Sequence, residues 1–330
     1  MSKLENHFET EDELAIGVDL GGSKIGIALV KKNGEIEKYI KIPTYAEQGQ
    51  ESTINRIKQG IYQVIEQKDL RINKISGIGI GAPGPVDYKE GVIHCAPNLP
   101  GWKEVPLANI VKDEFQIPVI MENDANVAAW GEKTFGVARG IDDMVCLAMG
   151  TGIGAGLILS GKIYHGKNNL AGEIGHIIVN KKGPRCNCGN YGCLEAYSSA
   201  AGIKNRLYGK ISKLKADNQT PPFISDLDDI SLVQIFKMAR EGNEVVKDIV
   251  EEAIEYLGIG IATVINILNP EMIVLVGGLA NEGDKLLNPL KEIIYKRAMS
   301  SHLPDLKIVF GKLGDYAGVI GAAALFWNYV

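Results

Sequence analysis

The chain has 330 residues, 45% of them hydrophobic and 23% charged, and a net charge of −5. That length suits two domains better than one compact core. The acidic balance and the absence of any Lys/Arg run exclude a nucleic-acid surface as the main business of the chain, and no apolar stretch reaches the roughly 18–20 residues that span a bilayer.

Residues 1–13 are polar and acidic, read as a flexible tail with no apolar signal-peptide core, so the expected compartment is the cytoplasm. Leu14 to Asp19 reads as a buried strand, Leu20-Gly21-Gly22-Ser23-Lys24 as a tight turn, and Ile25 to Val30 as the returning strand. Asn33-Gly34 is a hairpin signal leading into a third strand from Glu35 to Ile42. Ile54, Ile57, Ile61, Val64 and Ile65 have helical spacing over 52–67. Ile75 to Ile80 is a short strand that ends on Gly81-Ala82-Pro83-Gly84-Pro85. Leu107 to Phe115 reads as a helix, Val119 to Glu122 as a strand, and Val127 to Phe135 as a helix.

A second series starts after Gly140. Asp143 to Met149 is a strand, Gly150 to Gly154 a glycine turn, and Ala155 to Leu159 the return. This repeats the opening strand–turn–strand pattern and points to two related halves. Residues 209–230 are polar, contain Pro221-Pro222, and read as a surface insertion between helices. A long helix or helix pair follows over 244–268. Met272 to Val276 is a buried strand ending on Gly277-Gly278, and Ala317 to Phe326 closes the chain as a helix. Alternating strands and helices predict an α/β fold.

Three of these strands end on glycines. Glycine lets backbone N–H groups converge at no steric cost, which suits a phosphate. Any one such turn is more often just a turn; three at strand ends, two of them with hydroxyls at Ser23 and Thr151, carry more weight. Neither the Walker A nor the G-x-G-x-x-G spacing is present. Asp19 at the end of the first strand is placed to hold Mg²⁺ through water, or simply to cap its own turn.

Glu122-Asn123-Asp124-Ala125-Asn126 runs from a strand into a helix. Asp124 there can serve as an N-cap. Asn123 and Asp124 together also offer an amide and a carboxylate to neighbouring hydroxyls, and a carboxylate can take a proton from a hydroxyl under attack. Glu173 and Glu195 flank a cluster of His176, Cys186, Cys188 and Cys193. One imidazole and three thiolates make a closed, tetrahedral zinc site with no position left for water, hence a structural metal. If one nitrogen of His176 binds the metal, the other is fixed facing elsewhere. Cys95 and Cys146 read as core residues, and His94 and His165 have no such context.

Taken together, Asp19-Leu20-Gly21-Gly22-Ser23-Lys24, Gly81-Ala82-Pro83-Gly84-Pro85-Val86-Asp87, Glu122-Asn123-Asp124-Ala125-Asn126, Gly150-Thr151-Gly152-Ile153-Gly154, Gly172-Glu173-Ile174-Gly175-His176 and the cysteine loop through Glu195 resemble the ROK family, most closely its bacterial glucokinases. The resemblance runs from about Leu14 to the end of the chain. It implies an actin-like (ribonuclease H-like) ATPase fold with two α/β domains around a cleft and a zinc loop over 176–195. The smaller domain would take 14–124, completed by the helix 317–330, and the larger 125–316.

It further implies transfer of a phosphoryl group from MgATP to the 6-hydroxyl of a hexose, with glucose the first expectation. N-acetylglucosamine, N-acetylmannosamine, mannose and fructose are the alternatives. Asp124 matches the family's general base. Gly84, Asn98, Asn123, Glu173, His176 and Glu195 match its sugar-contacting positions. Asp19, Gly21, Gly22, Ser23, Lys24, Gly150, Thr151, Gly152, Gly154, Gly277 and Gly278 match its nucleotide side, and His176 with the three cysteines its zinc ligands. Family members commonly form dimers or tetramers, so a homo-oligomer is expected.

Two other readings compete. A sugar-sensing regulator of the same family carries a helix-turn-helix ahead of the first strand, for which about a dozen residues are too few. A non-catalytic sugar-binding module would have no use for Asp124 and three glycine turns.

Overall fold

The structure, a computed structural model, describes residues 13–96, 98–218 and 230–328. Most of the expected N-terminal tail, Pro97, and residues 219–229 of the expected insertion lie outside the described residues. The rest forms two compact units. The first takes the residues up to Gly140, Ile163–Ala171 and those from Lys312 onward; the second takes Ile141–Lys162 and Gly172–Gly311.

The first unit is built on β1 (Leu14–Leu20), β2 (Lys24–Lys31) and β3 (Ile36–Pro43), three antiparallel strands in sequence. After α1 (Gln50–Glu66), β4 (Ile75–Ala82) adds parallel to β1. A small sheet of β5 (Val86–Asp87), β6 (Val92–Cys95) and β7 (Lys103–Val105) leads to α2 (Leu107–Phe115). Then β8 (Val119–Asn123) completes the main sheet in the order β3-β2-β1-β4-β8 and runs straight into α3 (Asp124–Thr134).

β1 is a nearly continuous apolar run because both faces of this sheet are covered. On one face Ile57, Ile61 and Val64 of α1 meet Ile16, Val18, Ile27 and Ile80. The other face is covered by the C-terminal helix, Ala317–Asn328, through Val319 and Ala323. This helix lies directly on the strand backbones. A methyl group at Gly17 would overlap the carbonyl of Val319, and one at Gly79 that of Ala322. Only glycine permits so close an approach.

The second unit repeats the plan. β9 (Met144–Met149) and β10 (Ile153–Leu159) form a hairpin around the glycine turn, with β11 (Lys162–Ile163) at its edge. The cysteine loop then leads to the helices α4 (Leu194–Ser198), α5 (Ala200–Ala216), α6 (Leu232–Arg240) and α7 (Glu244–Leu268). β12 (Met272–Val276), α8 (Asp284–Arg297) and β13 (Lys307–Phe310) follow. The order β11-β10-β9-β12-β13 matches that of the first sheet strand for strand, with β12 parallel to both β9 and β13. The repeat expected from the two strand–turn–strand patterns is therefore a repeat of whole-sheet topology.

Three details differ from the expectation. α3 begins at Asp124 rather than Val127, and it packs in the first unit against the C-terminal helix, where Gly321 touches the Val127 carbonyl, rather than opening the second. The cap is Asn123, not Asp124: the Asn123 side chain accepts from the Ala125 and Asn126 N–H groups. α5 runs on to Ala216, so the first part of the expected insertion is helical, held by Ile203, Leu207 and Ile211 on one buried face.

Candidate functional site

In the first unit the turn between β1 and β2 is fixed from behind. Gly21 N–H donates to the Lys24 carbonyl at 3.0 Å. The fully buried Thr44 donates its hydroxyl to the Gly21 carbonyl at 2.7 Å and its N–H to the Ser23 carbonyl at 2.9 Å. Ser23 and Lys24 stay exposed at the tip. Gly22 sits against Asn98, so a Cβ there would stand 3.0 Å from that of Asn98.

Asp19 ends the same strand. Its carboxylate lies against Gly318, where a side chain would collide with it. Burial raises its pKa from 3.8 to about 6, Lys41 pulls it partly back, and Asp315 adds to the rise. Lys41 is itself paired with Asp315 at 3.0 Å. A carboxylate held ionised at such a cost is suited to a cation.

At the head of α3, Asn123 does three things. It caps the helix, its Nδ2 donates to the Gly84 carbonyl at 3.2 Å, and its N–H donates to Glu122 Oε1 at 2.8 Å. Gly84 has φ +83°, and a Cβ there would overlap the carbonyl of Cys95. Asp124 Oδ1 accepts from the Ala125 N–H at 2.8 Å, which sets the side chain's rotamer. Gly84, Asn123 and Asp124 thus form one wall.

Behind that wall stand residues the sequence did not single out. Glu122 is buried, and its Oε1 also accepts from Asn126 Nδ2 at 3.0 Å. Its Oε2 is 2.6 Å from His165 Nε2. His165 stacks on Tyr88 with ring centroids 4.0 Å apart and planes 15° from parallel. Thr44, Tyr88 and His165 come from loops with no periodicity to mark them.

In the second unit His176, Cys186, Cys188 and Cys193 bring one ligand atom each to within 4.8 Å of one another. Cys188 Sγ is 3.6 Å from Cys193 Sγ, and His176 Nδ1 is 3.7 Å from Cys186 Sγ. Tetrahedral zinc with Zn–S near 2.3 Å sets sulfur ligands about 3.8 Å apart, so the donors fit. Burial raises the Cys186 thiol and pushes Cys193 up to about 12, while the Asn190 N–H lowers Cys188. Thiols kept protonated by burial need a cation to become ligands.

With Nδ1 turned to the thiols, His176 Nε2 faces Glu173 at 3.9 Å. Glu195 opens α4, and its Oε2 accepts the Ile153 N–H at 2.9 Å, while its Oε1 lies 3.9 Å from Cys186 Sγ. Gly152 leaves it room, since a Cβ there would overlap Oε2. The glycine turn it touches is braced by α5: Ala200 N–H donates to the Gly150 carbonyl at 3.0 Å and Ala201 N–H to that of Thr151 at 3.2 Å. Gly277, at φ +94°, packs on the Met149 carbonyl, bringing Gly277 and Gly278 beside Gly150. Gly154 lies inside β10, opposite Ala148, rather than in the turn. The unit therefore gathers Gly150, Thr151, Gly152, Gly277 and Gly278 on one side, and Glu173, His176 and Glu195 around the metal ligands.

These features define a class: a duplicated α/β protein of the actin-like ATPase type, with paired glycine hairpins and a Cys₃His cluster that fits a zinc ion. The chain belongs to the ROK family, whose sequence pattern matches residues 15–328. It is 34% identical over 310 residues to a glucokinase of Thermotoga maritima, covering 94% of this chain and 96% of that protein. It is 35% identical over 314 residues to a xylose repressor of Caldicellulosiruptor bescii, covering 94% of this chain and 77% of the repressor. Among solved structures it is similar to a ROK family glucokinase from Streptomyces griseus in complex with glucose and AMPPNP, with a TM-score of 0.79, 32% identity, and 94% and 98% of the two chains covered. Among the described residues no helix is long and apolar enough to cross a membrane.

Proposed function

We infer that this protein is an ATP-dependent sugar kinase that converts glucose to glucose 6-phosphate. What carries the reading is the Asn123–Asp124 pair at the head of α3, an amide and a carboxylate held side by side in a chain so similar to a glucokinase that binds glucose and AMPPNP.

In this reading Asp124 accepts the proton of the sugar 6-hydroxyl as its oxygen attacks the γ-phosphorus of ATP in line. The P–O bond to ADP breaks, and ADP leaves. Phosphoryl transfer asks a protein mainly for position and charge neutralisation. Gly84, Asn98, Asn123, Glu173, His176 Nε2 and Glu195 would hold the sugar. The glycine turns at Gly21-Gly22, Gly150-Thr151-Gly152 and Gly277-Gly278 would receive the nucleotide, with Ser23 and Lys24 at the first tip. Mg²⁺, when bound, would neutralise the phosphate charge, and Asp19 would be the carboxylate that holds it. His176, Cys186, Cys188 and Cys193 would hold Zn²⁺ as a structural ion, which would direct His176 Nε2 toward the sugar. The expected setting is the cytoplasm, as a homo-oligomer with sugar and ATP as its small-molecule partners.

The test is a coupled assay of ADP release over a panel of hexoses. Fastest turnover with glucose is expected. A higher kcat/KM for N-acetylmannosamine or another hexose would move the substrate assignment. Because a repressor is as similar as the glucokinase, the second reading is a sugar-sensing regulator. No turnover on any sugar, with specific DNA binding at physiological salt, would establish it instead.

A further inference from the structure

The buried group behind the Asn123–Asp124 wall has no place in the chemistry above. Glu122 is 3% exposed and has no solvent role. One of its oxygens accepts the N–H of Asn123 and the amide of Asn126; the other faces His165 Nε2. Facing a carboxylate at 2.6 Å, that nitrogen carries a proton and donates it. Tyr88 lies flat against the imidazole and fixes its plane. The chain runs from His165 through a turn closed by the Ala171 N–H on the His165 carbonyl at 3.1 Å.

Each link constrains the next. Tyr88 and the short hydrogen bond orient Glu122. Glu122 holds Asn126 in the first turn of α3 and the main chain at Asn123. Asn123 in turn holds Gly84 and, as cap, the start of the helix that carries Asp124. A hydrogen-bonded network anchored on a buried carboxylate rigidifies what it touches.

We propose that Tyr88, His165 and Glu122 form a positioning relay, with His165 its adjustable member, that orients Asn123 and the Asp124 carboxylate against the sugar hydroxyl. The proposal rests on the sugar-kinase reading. In this relay His165 acts through Glu122, which it meets at Oε2.

The test compares His165→Ala, His165→Asn and His165→Gln as full-length, metal-loaded proteins. Glutamine places an amide N–H where Nε2 stands; asparagine is too short to reach Glu122 and leaves a smaller void than alanine. Misorientation of a catalytic group costs on the order of 10- to 100-fold. His165→Ala and His165→Asn should lose that much kcat with glucose. Their KM for ATP should stay within about twofold, because the nucleotide contacts are untouched. Calorimetric glucose binding should weaken, and His165→Gln should recover most of both. Unchanged kcat in His165→Asn, or no recovery in His165→Gln at normal zinc content and melting temperature, would overturn the relay. A loss shared equally by kcat and the KM for ATP, tracking melting temperature, would show a merely structural role and overturn it too. Wild-type protein inactive on every hexose would instead overturn the kinase reading, and the relay with it.

Discussion

Asp19 offers a quantitative test that joins stability to function. In the folded protein burial raises its carboxyl from 3.8 to about 6. An acid whose folded pKa is raised binds its proton more tightly when folded. Its contribution is therefore favourable below about pH 4 and is lost as pH rises through about 6. At 1.36 kcal/mol per pH unit, ionised Asp19 costs the fold about 3 kcal/mol at pH 7 and about 1.6 kcal/mol at pH 5. Asp19→Asn removes that cost. The variant should be more stable than wild type, and its advantage should grow by about 1.3 kcal/mol between pH 5 and pH 7. Urea unfolding at both pH values measures the difference directly. Saturating MgATP should narrow the gap by stabilising only the wild type, because the asparagine lacks the charge for the cation, and the kinase activity of the variant should fall steeply. If Asp19→Asn were less stable than wild type at pH 7, or its advantage flat with pH, burial would not be what sets this carboxyl, and the argument for a cation there would fail.

Asp124→Asn should keep fold and zinc content yet lose about 10²- to 10⁴-fold in kcat, the usual worth of a general base, in the coupled assay. Cys193→Ser should lose bound zinc by elemental analysis, and the KM for glucose should rise because His176 and Glu195 share the loop; unchanged KM in a zinc-free protein would separate the metal from the sugar wall. Gly84→Ala should abolish glucose binding in calorimetry, because the new methyl overlaps the Cys95 carbonyl at a φ that alanine resists. Glu132→Ala should destabilise the first unit by at least about 3 kcal/mol in urea unfolding, because this buried carboxylate accepts the N–H groups of Val137, Lys312 and Leu313.

The strands and helices that build the sites were legible because their signals are local. β1, β2, α2 and the glycine turns fall where composition and period put them. The Cys₃His cluster was legible because its three cysteines sit within eight residues and their chemistry is distinctive. Glu122, His165, Tyr88 and Thr44 were not, because their meaning lies in partners more than 20 residues away. His165 looked contextless since nothing near it in sequence shows that it closes on Glu122, 43 positions earlier. The unit that α3 joins was not legible for a similar reason. A helix beginning at Asp124 carries no mark of the unit it joins; that is decided by the small residues of a C-terminal helix nearly 200 positions on.

That helix also sets an order of events during synthesis. The strands it covers, β1 and β4, are finished before residue 83, yet Gly17 and Gly79 keep their open face until Val319 and Ala322 exist. At about 5–20 residues per second, residues 141–316 take roughly 10–35 s to appear. For that interval the second unit, made later, is able to complete its own core, while the first, made earlier, waits with an apolar sheet face bare. A nascent chain of this design folds back to front, and the half that carries the proposed base is the one that depends on Ala317–Asn328, a helix made long after its own strands.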